Sequence, residues 1–141
     1  MRKITQLVPL VLGLALMLPA GAAAQKKQDR CVVSADNLVL VFQDVPTLSV
    51  LRTVPVRGFM YGLVGVSPAY PFEGTAVMSP EGHVRLGATI HYITSHSTIG
   101  ARTDVNFAGR FGFDLDGDNL NDDLYIEFQP VACSTLYPQP Y

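Results

Sequence analysis

The chain has 141 residues, of which 48% are hydrophobic and 16% are charged, and its formal net charge is −2. This length fits one domain, and the composition is too apolar and too weakly charged for a disordered chain. The low number of basic residues, without any cluster of Lys and Arg, argues against a protein that binds nucleic acid.

The first 24 residues have the pattern of a cleaved secretory signal peptide. Arg2 and Lys3 form a short basic region, Leu7–Leu18 is mostly apolar, and Ala22–Ala24 supplies the small residues that a signal peptidase requires. A membrane anchor is the alternative, but this apolar run is shorter than the roughly 20 residues that a bilayer span needs. We therefore expect export to the periplasm or the extracellular space, with no membrane span in the mature chain.

Cys31 and Cys133 are the only cysteines, and they lie near the two ends of the expected mature chain. An oxidising compartment favours one intramolecular disulfide between them. Two free thiols or an intermolecular bridge are the alternatives. A redox enzyme has little support, because the chain has no Cys-x-x-Cys pair.

Alternation of apolar and polar residues is the main sign of secondary structure. It is clearest over His83–Tyr92, where Val84, Leu86, Ala88 and Ile90 share one face, and this period of two predicts a half-buried strand. By this pattern, or by an apolar run of strand length, strands are predicted at Leu38–Phe42, Val56–Val66, Gly74–Met78, His83–Tyr92, Thr103–Phe113 and Leu124–Gln129.

The segments between these strands are predicted to be turns and connections. Ser79–Gly82 has Pro second and Gly fourth, which predicts a type I turn, whereas residues 25–30 suggest a polar lead-in and Thr94–Gly100 a Ser/Thr-rich connection. No segment has a convincing helical period. We therefore expect a signal peptide at 1–24 and, at 25–141, a single all-β domain, an antiparallel β-sandwich or β-barrel of six to seven strands.

The strand faces predict which residues form the core. Apolar residues at alternate positions of three predicted strands should be buried together. The predicted core residues are Val84, Leu86, Ala88, Ile90, Val105, Phe107, Phe111, Phe113, Leu124, Ile126 and Phe128.

Residues 114–123, the acidic loop, hold five of the nine aspartates. Their charge of −5 exceeds the −4 that the whole chain carries once Arg2 and Lys3 are removed with the signal peptide. Acidic residues at alternate positions of a loop can direct their oxygens towards one ion, and Ca²⁺ takes about 6–8 such ligands. A metal-free Asp/Asn/Gly turn is the alternative. The predicted calcium ligands are the carboxylates of Asp114, Asp116, Asp118 and Asp122 and the backbone carbonyl of Leu120.

The acidic loop resembles the calcium hairpins of integrin-type propeller repeats, whose pattern is Asp-x-Asp-Gly-Asp-Gly-x-x-Asp-Leu. Asn119 replaces a glycine, and Asp123 is one extra residue before Leu124. An EF-hand does not fit, because Asn119 and Tyr125 stand where that loop has Gly and Glu. The resemblance implies an ion site only, since one copy cannot build a propeller. The matching residues are Asp114, Asp116, Gly117, Asp118 and Asp122.

No catalytic arrangement emerges from the remaining polar residues. His83 and His91 share a strand face but lie eight residues apart, roughly 26 Å at about 3.3 Å per residue. His96 is expected in a loop, and no Gly-x-Ser-x-Gly nucleophile motif is present. Arg85 and Arg110 fall on outer strand faces and could form a small basic patch, for which solvation is the simpler explanation.

Three classes of function therefore remain open. We expect a secreted or periplasmic, non-enzymatic binding or structural β-domain, whose partner is an unknown protein or small molecule. A small barrel enzyme of the cyclase, isomerase or hydrolase type would need a polar cavity. An interaction subunit of a cell-envelope assembly would need an exposed apolar patch, for example near Phe59 and Tyr61.

Overall fold

The chain folds into a closed, antiparallel barrel of eight strands in a computed structural model that describes residues 27–64 and 67–136. Each strand pairs with the next one in the sequence, and the last pairs with the first. Within the described residues, no helix is long and apolar enough to cross a membrane. The elements are β1 (Gln28–Ser34), β2 (Leu38–Val45), β3 (Thr53–Gly62), β4 (Tyr70–Met78), β5 (Val84–His91), β6 (His96–Thr103), β7 (Gly109–Phe113), β8 (Leu124–Val131) and a short 3-10 helix (Cys133–Thr135).

The all-β prediction is confirmed, but the predicted count of six to seven strands is wrong. β1 begins inside residues 25–30, which the sequence suggested to be a loose lead-in. β6 occupies most of Thr94–Gly100, where a connection was predicted. The predicted signal peptide lies outside the described residues.

Aromatic side chains fill the interior of the barrel. The ring of Phe42 is fully buried, and its centroid lies 5.1 Å from that of Phe72 and 4.7 Å from that of Phe107. The rings of Phe111 and Phe128 meet edge to face at 5.0 Å. An eight-stranded barrel is just wide enough for its side chains to fill it. The interior is therefore a packed apolar core.

Most of the predicted core residues lie in this interior. Ile126 is partly buried and packs against the core. The prediction is wrong for Val105 and Leu124, which are each 42% exposed. Leu124 is the first residue of β8. The buried members are Val84, Leu86, Ala88, Ile90, Phe107, Phe111, Phe113 and Phe128.

The exposure of Val105 follows from a turn that interrupts the predicted strand Thr103–Phe113. The Asp104 carboxylate accepts hydrogen bonds from the N–H groups of Asn106 and Ala108, at 2.8 and 3.1 Å. Phe107 donates its N–H to the Asp104 carbonyl and has φ 64°, which is uncommon for a residue other than glycine. The turn exposes Val105 and directs the Phe107 ring into the core.

A second apolar cluster, the outer cluster, lies on the outside of β1, β2 and β3. It consists of Cys31, Val39, Val41, Tyr61 and Leu136, all of them buried. Leu136 directly follows the 3-10 helix, so residues 133–136 cover this part of the barrel wall. Both faces of β2 are therefore buried, which explains its unbroken apolar run.

The predicted disulfide joins Cys31 of β1 to Cys133, with their Cα atoms 5.3 Å apart. Cys133 begins the 3-10 helix that follows β8. In the pairing of β1 with β8, Cys31 lies opposite Val131. The covalent bond therefore lies at the seam where the first and last strands close the barrel.

Candidate metal centre

The acidic loop connects β7 to β8 and is anchored to the barrel at both of its ends. Phe113 lies opposite Leu124 in the pairing of these strands. Beyond this pair, Asp123 donates its N–H to the Phe113 carbonyl at 3.0 Å, and Asp114 donates its N–H to the Thr98 carbonyl at 3.0 Å. The loop thus begins and ends at fixed positions.

A row of glycines lets the acidic loop lie against the barrel wall. Gly87, Gly100 and Gly112 are directly opposite one another across β5, β6 and β7. A Cβ atom at Gly112 would lie 2.2 Å from the carbonyl oxygen of Asn121, and one at Gly100 would lie 2.8 Å from its side-chain amide nitrogen. The Thr98 hydroxyl donates to Oδ1 of Asn121 at 2.7 Å. Asn121 therefore holds the middle of the loop on the glycine row.

The structure brings four carboxylates of the acidic loop together. Asp114, Asp116, Asp118 and Asp123 each offer an oxygen within 4.8 Å of the others. Asp114 is buried, and the other three are exposed. Three of the four were predicted as ligands. Asp122, the fourth predicted carboxylate, is exposed and lies outside this group, and Asp123 takes its place.

Asp114 is the most enclosed member of the group, with 4% of its surface exposed. Its two carboxylate oxygens accept hydrogen bonds from the N–H groups of Gly117 and Asn119, at 2.8 and 2.9 Å. Burial is the largest single influence on this carboxyl and acts to raise its pKa. The hydrogen bonds together outweigh burial, so the pKa lies below its ordinary value. Asp114 is therefore held as a carboxylate.

The other carboxylates of the group are also held by backbone N–H groups. Oδ2 of Asp123 accepts from Leu115 at 2.7 Å and from Asp116 at 3.1 Å. Oδ1 of Asp118 accepts from the N–H of Leu120 at 2.9 Å. The bond to Asp118 is a short-range one typical of Asp in turns, whereas the bonds to Asp123 join the two ends of the loop, and together they hold it in a defined conformation. A ligand role for the carbonyl of Leu120 stays a prediction.

Asp116 shows the electrostatic cost of this arrangement. Its carboxylate accepts a hydrogen bond from the Asp118 N–H at 3.1 Å, and this bond is the largest influence on its pKa and acts to lower it. Desolvation, the Asp118 carboxyl and the negative charge of Asp123 act the other way and together raise the pKa of Asp116 to about 6. A cation among these oxygens would relieve that repulsion.

The histidines do not join the acidic group. Nε2 of His91 lies 2.7 Å from a carboxylate oxygen of Glu73, and both side chains are largely exposed. His96, expected in a loop, begins β6 and lies opposite His91. Within residues 27–64 and 67–136, the acidic loop is the one group of three or more His, Cys, Asp or Glu close enough to share an ion.

Comparisons of this chain with protein-family models, with curated proteins and with solved structures found no match. The likeness of the acidic loop to a calcium hairpin therefore stays a local one. Its donors are all oxygens, which suit a hard cation such as Ca²⁺, whereas Zn²⁺ prefers His and Cys.

Proposed function

We propose that the chain is an exported, non-enzymatic binding or structural β-barrel whose acidic loop holds one structural Ca²⁺. The observation that carries this proposal is the meeting of four aspartate carboxylates within 4.8 Å on a loop fixed to the barrel wall. Backbone carbonyls and water would complete the coordination shell, as is usual for Ca²⁺. The ligands would be Asp114, Asp116, Asp118 and Asp123.

Two further features support a structural role in an exported protein. The interior of the barrel is filled by apolar side chains, so the space that the strands enclose serves as a hydrophobic core. The disulfide is typical of oxidising compartments such as the periplasm and the extracellular space. An ion at the acidic loop would also fix the connection between β7 and β8.

The alternative of an envelope interaction subunit has less support at the patch that the sequence suggested. Of the two residues suggested for an apolar patch, Tyr61 is 7% exposed and packs in the outer cluster with Leu136, whereas Phe59 is half-buried. Tyr61 therefore belongs to the packing of the barrel and does not offer its ring to a partner.

Thermal unfolding with and without Ca²⁺ tests the proposal. An ion that binds only the folded state stabilises it by RT ln(1 + [L]/Kd), about 2.7 kcal/mol at a hundredfold excess over Kd. We therefore expect a midpoint several degrees higher in Ca²⁺ than in chelator. The titration must reach several millimolar, because extracellular modules bind Ca²⁺ with Kd values up to about 10⁻³ M.

A pair of variants separates the ion site from the charge of the loop. Asp123→Asn removes one charge but keeps an oxygen that can accept the N–H bonds of Leu115 and Asp116. Asp122→Asn removes the same charge outside the group. We expect Asp123→Asn to weaken Ca²⁺ binding at least about tenfold and Asp122→Asn about twofold or less. Equal effects, or no calorimetric heat with the parent chain, would refute the site.

A further inference from the structure

A second site candidate, which we call the basic cavity, lies on the outside of the barrel and shares no residue with the acidic loop. It has a volume of about 220 Å³ and sits where the connection between β2 and β3 reaches β4 and β5. Its polar lining is Ser79, His83, Arg85 and Arg102, and its apolar lining is Leu51, Val77 and Met78.

Two arginines of this cavity face each other without a counter-charge. Arg85 and Arg102 are directly opposite across β5 and β6. Arg102 is also opposite Arg110, but Arg110 forms an ion pair with Glu127 at 2.9 Å. Within the described residues, Arg85 and Arg102 form no such pair. Like charges at directly opposed positions repel, and an anion bound between them would remove the repulsion.

The other polar groups of the basic cavity also suit an anion. No carboxylate lines it. Guanidinium groups bind phosphate, sulfate and carboxylate with two parallel N–H donors. The Ser79 hydroxyl oxygen accepts the backbone N–H of His83 at 3.2 Å, which leaves its own proton free to donate to a ligand.

A strained residue adds an apolar wall beside these donors. Leu51 has φ 60°, a left-handed conformation that costs free energy outside glycine, and its N–H donates to the Met78 carbonyl at 2.8 Å. Its side chain is 70% exposed at the rim of the cavity, next to Val77 and Met78. The backbone therefore holds an exposed apolar side chain next to two unpaired arginines.

We propose that the basic cavity binds a small organic oxyanion, namely a phosphate or sulfate monoester with an apolar substituent. Its charged end lies between Arg85 and Arg102, and its apolar end lies against Leu51, Val77 and Met78. The inference goes beyond the calcium role of the acidic loop and does not depend on it.

Calorimetric titration with phenyl phosphate tests this proposal. The full exported chain is used in chelator, so that Ca²⁺ does not compete for phosphate. We expect phenyl phosphate to bind more tightly than inorganic phosphate, which lacks the apolar part, and than benzyl alcohol, which lacks the charge. No heat from phenyl phosphate up to several millimolar, or equal affinity for all three, would overturn the site.

Matched variants test the role of the two arginines. Arg85→Gln and Arg102→Gln should each weaken phenyl phosphate binding by about tenfold, because each removes a charged donor. Arg57→Gln removes the same charge from a side chain that pairs with Asp44 and does not line the cavity, and it should change affinity by about twofold or less. Circular dichroism of each variant is the control that checks whether it is folded.

Two outcomes of these measurements would contradict the proposal. A loss in Arg57→Gln as large as that in Arg102→Gln would mean that net charge, and not the cavity, governs binding. Binding to vesicles of phosphatidylcholine and phosphatidic acid without binding to phenyl phosphate would mean that a membrane surface is the ligand.

Discussion

Tyr61 buries a hydroxyl group that has no hydrogen-bond partner among the described residues. The side chain lies in the outer cluster and is 7% exposed. Burial raises the pKa of this phenol above its ordinary value of 10.0. An unpaired polar atom inside an apolar cluster costs free energy, so the hydroxyl of Tyr61 lowers the stability of the folded protein.

Tyr61→Phe should stabilise the protein by about 1 kcal/mol at neutral pH, because it removes the unpaired hydroxyl and keeps the ring. The folded state holds the phenol proton more tightly than the unfolded state, so the parent loses stability as the pH rises from about 10 through the raised pKa. The variant has no phenol to ionise at this position, so its free energy of unfolding should fall less over the same range. Urea unfolding at pH 7 and above pH 10 measures both effects. Tyr125→Phe removes an exposed hydroxyl and should change stability by less than about 0.5 kcal/mol. A destabilised Tyr61→Phe would contradict this account.

Asp123 belongs to the carboxylate group because of strand register, which the spacing of aspartates does not reveal. The sequence predicted three of the four carboxylates from their alternation and chose Asp122 as the fourth by position in the loop. In the structure, Phe113 pairs with Leu124, so Asp114 and Asp123 flank the mouth of the hairpin. Asp123 can be identified as a member of the group only when the register of β7 and β8 is known. The turn residues between these strands do not define that register.

At the scale of single elements, the glycine row determines how the acidic loop is held. Gly87, Gly100 and Gly112 are in register, but only the last two lie under Asn121. A side chain at Gly112 would collide with the backbone of the loop, whereas one at Gly87 would have its nearest neighbour at 4.0 Å. A substitution at Gly112 therefore tests how the loop is held, and the same substitution at Gly87 is the control on the same barrel wall.

Gly112→Ala should destabilise the protein by about 1–3 kcal/mol, because its Cβ would lie 2.2 Å from the Asn121 carbonyl oxygen and would force the loop away. It should also weaken Ca²⁺ binding. Gly87→Ala should be neutral or slightly stabilising, because the new methyl group enters open space. Denaturant unfolding measures both variants. Similar losses of stability would show that the loop does not rest on Gly112.

The strands that the sequence predicted are those with apolar residues at alternate positions or in an unbroken run. β5 is the clearest case, since its inward positions are Val, Leu, Ala and Ile. β6 was missed because its inward positions include Ser97, Ala101 and Thr103, which carry little hydrophobic signal. Its pairing with two neighbours in the barrel, and not its own sequence, makes it a strand.

At the scale of the whole molecule, the barrel is closed both by hydrogen bonds and by a covalent bond. β1 pairs with β8, and the disulfide joins residues 102 positions apart beside this seam. Cross-linking a loop of roughly 100 residues limits the freedom of the unfolded chain by about 4.7 kcal/mol in the chain-entropy model. The disulfide is therefore expected to be a main source of stability.

Replacing both cysteines, Cys31→Ala with Cys133→Ala, should lower the free energy of unfolding by about 2–5 kcal/mol. Urea unfolding with and without reductant measures this, and reductant should affect only the parent. Thiol labelling of the denatured, unreduced parent should find no free thiols. An unchanged midpoint in the double variant would show that β1 and β8 close the barrel without help from the bond.

The position of the disulfide also determines how the molecule responds to mechanical force. A pull on the two ends of the chain is carried by the bond between Cys31 and Cys133, and the strands between them bear no load. After reduction, the same pull acts on β1 and β8, which are antiparallel, so their hydrogen bonds open one after another from Cys31 towards Ser34. In an optical trap the oxidised barrel should stay folded, and the reduced barrel should unzip at low force.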